Sequence, residues 1–219
     1  MKVLKDNGLT IVLLLATLFT IAGMLVTGLS VYNEELAKDH AQAVSLVDYV
    51  TTGHFLSALF ENWESEFLQM SAYVVLTAFL FQRGSAESKD PDEASPQEAD
   101  PADDESKPDA PLPVRMGGLP RSLYSYSLGL VLFLLFLVSF LVHLRESAAA
   151  EAAEAMLHGK AAPTIGNHLL SAQMWFESFQ NWQSEFLSTA LVVVLSIFLR
   201  FRGSPESKPV SAPHSETGA

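Results

Sequence analysis

Glu66 and Glu185 are the side chains in this sequence best placed to do chemistry. Each sits at the mouth of an apolar run, in NWESEFL (Asn62–Leu68) and NWQSEFL (Asn181–Leu187). An ionisable group at membrane depth is costly to keep and commonly functional. On a helix, Asn62, Ser65, Glu66, Gln69, Tyr73 and Thr77 fall along one face. Asn181, Ser184, Glu185, Ser188 and Ser196 do the same in the second stretch. Facing stripes of this kind could line a small polar cavity for a proton or a cation, with Asn62, Glu66, Gln69, Asn181, Glu185 and Ser188 as its candidate residues. The competing reading is structural. Glu61, Glu64 and Glu66 lie in the early turns of their helix, where a carboxylate favours the positive end of the helix dipole by about 0.3–1 kcal/mol. On that reading the two carboxylates are wetted, paired with nothing, and independent of each other.

The remaining chemistry is sparse. There is no cysteine, which excludes disulfides, thiolate metal sites and a cysteine nucleophile. His40, His54, His158 and His168 are never at i, i+3 or i, i+4, so the expectation is solvated loop histidines and no metal site. No phosphate loop, nucleophile elbow or metalloprotease motif occurs. No catalytic, cofactor-binding or metal-ligating residue is assigned, and the chain is not expected to be an enzyme.

The elements that would hold the two glutamates are written twice. Asn62–Lys89 returns, without a gap, as Asn181–Lys208; Trp63 and Trp182 are 119 residues apart, as are Gly84 and Gly203. Each copy has an aromatic, acidic head, an apolar middle and a basic Gly-Ser tail, the order required by a helix crossing a membrane. Trp63 and Trp182 stand where interfacial anchors belong. Phe55, Leu56, Leu59, Phe60, Trp63 and Phe67 keep one helical face. The charge-free part, Phe67–Gln82, reaches only about 24 Å at 1.5 Å per residue, so Glu66 lies near the edge of the hydrocarbon.

A longer apolar run precedes each head. Between Asp6 and Glu34 no residue is charged, and Leu9–Val31 can cross a bilayer core of about 30 Å. A cleaved signal peptide is disfavoured, because the run is long and its counterpart, Ser122–Leu144, lies mid-chain. Ala16 with Thr20, and Gly23 with Thr27, offer small faces for helix packing. Tyr32–Gly53 and Glu146–Gly166 read as polar loops. Ser85–Ala110 holds ten acidic residues, two lysines and four prolines, a composition that favours disorder.

The expected fold is therefore an all-α membrane protein with four transmembrane helices arranged as two parallel two-helix repeats. Residues 1–89 form the first repeat, 90–118 a disordered acidic cytoplasmic linker, 119–208 the second repeat and 209–219 a disordered tail. Met1–Gly8, Arg83–Arg121 and Arg200–Ala219 hold ten of the thirteen basic residues. By the positive-inside rule both termini and the linker are cytoplasmic. The net charge of -12 comes with no basic surface for nucleic acid. The expected partners are the lipid bilayer and either a second copy of the chain or another membrane protein. No cofactor is implied.

At NWESEFL…RGSAESK and NWQSEFL…RGSPESK the chain resembles a family of small bacterial membrane proteins classed as a domain of unknown function. The tandem layout matches over nearly the whole chain except the linker and tail. In that family the segment after the first helix usually reads YNEE. Tyr32–Glu35 keeps it, whereas Glu151–Glu154 reads EAAE. The resemblance implies the architecture and a multi-pass place in a bacterial inner membrane, and no activity. Two readings of function stay open: a structural or interaction protein without catalysis, or a small transporter or channel for a cation or proton that uses Glu66 and Glu185.

Overall fold

The computed structural model describes residues 2–218 and is helical, with no strand among them. The helices are α1 (Lys2–Lys38), α2 (Leu46–Tyr49), α3 (Gly53–Phe79), α4 (Leu112–Met116), α5 (Gly118–Ser125), α6 (Ser127–Leu157), α7 (Ile165–Leu169) and α8 (Ala172–Phe198). Both bounds of α3 and α8 are 119 residues apart, as are the last residues of α1 and α6.

Local chemistry explains why the ends coincide. After α1, the N–H of Ala41 donates to Leu36 O (2.8 Å) and that of His40 to Ala37 O (3.2 Å). After α6, Lys160 N–H reaches Ala155 O (2.8 Å) and Gly159 N–H reaches Met156 O (3.1 Å). Both are Schellman closures, and their left-handed residues are His40 (φ 56°) and Gly159 (φ 66°). The next turn is capped in each half by a hydroxyl: Ser45 Oγ accepts from Asp48 N–H, and Thr164 Oγ1 from Asn167 N–H.

Tyr32–Lys38 and Glu146–Leu157 differ from the loop expectation, because both continue their helices. Helix formers fill them, and Leu36, Glu146, Ser147 and Ala148 are buried. α1 and α6 are the two helices long and apolar enough to cross a membrane. α3 and α8 have 27 residues each, about 40 Å at 1.5 Å per residue.

The chain forms two compact units, and each draws on both halves of the sequence. One runs to Glu61 and includes Phe140–Trp175; the other comprises Asn62–Ser139 and the chain from Phe176. In the first, Tyr49 packs on Tyr32, His54 and Phe55, with ring centroids 5.5–5.8 Å away. A Cβ on Gly28 would collide with the Tyr49 hydroxyl, so this glycine makes room for the ring. A Cβ on Gly53 would meet Glu146 O at 2.5 Å and Ala150 N at 2.7 Å, so α3 begins directly against the backbone of α6. Gly23, in the small-residue stripe of α1, has nothing near it.

The distribution of polarity is inverted relative to a water-soluble core. Glu64, Ser65, Ser85, His143, His168 and Ser178 are buried, while Phe19, Phe79, Leu80 and Phe201 are exposed.

The segments expected to be disordered carry local structure. Ser95 and Asp100 cap short 3-10 turns at Pro96–Glu98 and Pro101–Asp104. Ion pairs join Arg83 to Asp92 (2.7 Å), Lys89 to Glu98 (2.5 Å) and Arg121 to Glu105 (2.8 Å). The tail is held as well: Lys208 Nζ is buried and donates to Pro213 O, His214 O and Glu216 O at 2.7–3.2 Å. Gly84 N–H donates to Thr217 Oγ1 (2.9 Å).

Candidate functional site: a carboxylate pair and groove between α3 and α8

Glu66 and Glu185 occupy equivalent positions on helices with equivalent bounds, and both belong to the second unit. Their carboxyl groups approach closely enough for the charge of one to act on the other. The structure thus brings together the two glutamates that the wetted, independent reading kept apart. Glu66 is on the exposed margin of this contact and Glu185 is half-buried.

One turn further along, Gln69 Nε2 donates to Thr189 Oγ1 at 2.6 Å. The position expected there was Ser188, whose hydroxyl instead returns to Glu185 O of its own helix (2.9 Å) and is exposed. Thr189 lies four residues from Glu185, and a 100° step per residue places i+3 and i+4 on either side of one face. Which of them points across depends on helix rotation, which the spacing alone leaves open. Asn181 bonds to Glu177 O on its own helix, and Asn62 accepts Ser65 Oγ–H at its carbonyl.

The two tryptophans differ. Trp63 is at the surface, 36% exposed. Trp182 is half-buried, donates its indole N–H to Glu64 Oε1 (2.8 Å) and meets the ring of Phe179 edge-on at 5.5 Å. Glu64 is fully buried. Its repeat counterpart is Gln183, so the sequence signal for Glu64 was its difference from the second copy.

Below Gln69, α3 and α8 enclose a groove of about 350 Å³. Tyr73 lies in it and donates to Glu87 Oε2 (2.9 Å). Glu87 belongs to the loop RGSAESK, and its counterpart Glu206 to RGSPESK. Ser88 Oγ accepts from Gln82 N–H and Ser207 Oγ from Phe201 N–H, both at 2.9 Å. Ser85 and Ser204 accept in turn from the N–H of Glu87 and Glu206. The loops carry their glutamates alike, and the Glu206 carboxyl lies near enough to act on the charge of Glu87. Burial pushes Glu87 above the ordinary carboxylate range; Glu206 adds to this, and the Tyr73 hydrogen bond opposes it.

Histidine chemistry in the first unit differs from expectation. His168 is fully buried, with Nδ1 at 2.6 Å from Glu151 Oε2 and Nε2 at 2.9 Å from Ser147 Oγ. This is the connectivity of a hydrolytic serine–histidine–acid set. Ser147, however, is buried within α6, where the helix uses its backbone N–H. We therefore read the set as a clamp of α7 onto α6. Among the described residues, no three His, Asp or Glu side chains converge to hold a metal.

No curated protein and no solved structure matches this chain. The family model described as "Domain of unknown function (DUF6766)" matches residues 1–219, and the chain belongs to that family.

Proposed function

We propose that this chain is a non-catalytic, four-helix membrane protein that passes a proton or small cation along the α3–α8 pair. The observation that carries this is the close approach of Glu66 and Glu185, with Gln69 and Thr189 hydrogen-bonded across the same two helices one turn further on. Such a pair holds one proton between two acceptors and exchanges it for another cation without rearranging the helices. Gln69, Thr189, Tyr73 and the Glu87·Glu206 pair continue the polar path. A merely structural role would be served as well by an amide at either position.

The membrane setting rests on α1 and α6, and on the burial of polar residues beneath exposed leucines and phenylalanines. The repeated heads and the distribution of Lys and Arg support four spans in two parallel repeats with cytoplasmic termini, and the family resemblance supports a bacterial inner membrane. The exposed face of α1 would meet lipid or a second copy.

The test is flux into liposomes carrying a pH-sensitive dye, comparing the intact protein with a Glu66→Gln, Glu185→Gln double variant. Wild type should dissipate an imposed proton gradient and the folded double variant should not. Equal leak from both would return the protein to the structural or interaction reading.

A further inference from the structure

The groove between α3 and α8 combines two features that a proton path alone does not require. Its walls are largely apolar, formed by Leu76, Ala190, Val193 and Val194 among others, and its lining includes no Lys, Arg or His. Its volume, about 350 Å³, falls at the lower end of the range of about 300–1,000 Å³ for small-molecule sites. At one end stands Glu87, whose Oε1 is buried with no hydrogen-bond partner, while Oε2 accepts from Tyr73. An acceptor stripped of water without a donor is expensive to maintain. The nearest lysine in sequence, Lys89, is engaged elsewhere, with Ala78 O and Glu98.

We propose that this groove binds an amphipathic organic cation, its ammonium at Glu87 and its small apolar body against Leu76, Ala190 and Val193. The inference rests on the cation-handling reading and supplies its substrate class. An inorganic ion would leave the apolar walls unused, and an anion would face Glu87 and Glu206 together. The aromatic ring of Tyr73 offers the cation a second contact. The groups facing Glu87 are Tyr73 from α3 and Glu206 from the second loop, and neither brings a positive charge that would compete with the ammonium.

Binding to the full chain in nanodiscs of zwitterionic lipid tests this, with benzyltrimethylammonium as probe and neopentylbenzene as its uncharged isostere. Calorimetric titration, referenced to empty nanodiscs, should show the cation bound and the isostere weaker by about tenfold or more. Glu87→Gln should reduce cation affinity by a similar factor, about tenfold. Ala190→Trp, which fills the groove and leaves every carboxylate in place, should abolish binding even if Glu87→Gln does not fold. Equal affinity for the two probes, or cation binding unchanged by Ala190→Trp, would overturn the proposal. Proton flux that depends on Glu66 and Glu185 without probe binding removes this inference and leaves the transport reading standing. Probe binding without flux does the reverse.

Discussion

Residues 46–54 and 165–173 occupy equivalent places in the two halves, and each buries one side chain completely. In the first half it is Tyr49, whose hydroxyl lies 3.1 Å from His54 Nδ1 and whose ring rests against Tyr32. In the second it is His168, held by Glu151, and Glu151 stands where the first half has Tyr32. The departure from YNEE to EAAE is thus matched by the departure from Tyr49 to His168. One half fills the position with stacked rings, the other with a charge-assisted hydrogen bond. Buried polar groups must be satisfied as sets, so neither partner can be exchanged alone.

Replacing residues by their counterparts across the repeat turns this comparison into measurements. The largest effect is expected at Gly53, whose counterpart is Ala172. Gly53→Ala pushes a methyl into the backbone at Glu146 and Ala150, which cannot rotate away, and should cost about 1–3 kcal/mol. Thermal melting in nanodiscs reads this out, and an unchanged melting temperature would mean that α3 and α6 are not in backbone contact.

The carboxylate pair comes next. A double-mutant cycle of Glu66→Gln and Glu185→Gln should show coupling above about 0.5 kcal/mol, because removing one charge relieves the other. Additive effects would restore the two independent, wetted carboxylates.

His40 and Gly159 close the two Schellman turns with positive φ. His40→Gly should stabilise by about 1 kcal/mol and Gly159→His should destabilise by about as much, since only glycine reaches this region without a Cβ penalty. If both variants are neutral, the turns are not left-handed in the folded protein.

The smallest effect concerns Glu87, outside the apolar helix segments. Its raised pKa means that folding favours the protonated acid. Its stabilising contribution is therefore present below the unfolded carboxylate value, about 4.3, and lost as pH rises through the folded value. Glu87→Gln should flatten that dependence in a pH series of melting temperatures; a slope identical to wild type would show that the carboxyl titrates normally.

Much of this protein could be read from its amino acids. Helix bounds, hydroxyl caps, Schellman turns and Gly-Ser loops recur 119 residues apart because each depends on bonds a few residues long, and the residues that make those bonds are repeated. Periodicity also placed Glu66 and Glu185 on equivalent faces. Only the tertiary structure decided which groups meet across elements: Glu66 with Glu185, Gln69 with Thr189 rather than Ser188, Trp182 with Glu64, His168 with Glu151, and Lys208 with the carbonyls of the tail. A rotation of one helix by a single residue step, about 100°, exchanges such partners while leaving every local bond intact. Spacing along the chain carries no record of that rotation, because it is set by how the side chains of both helices pack.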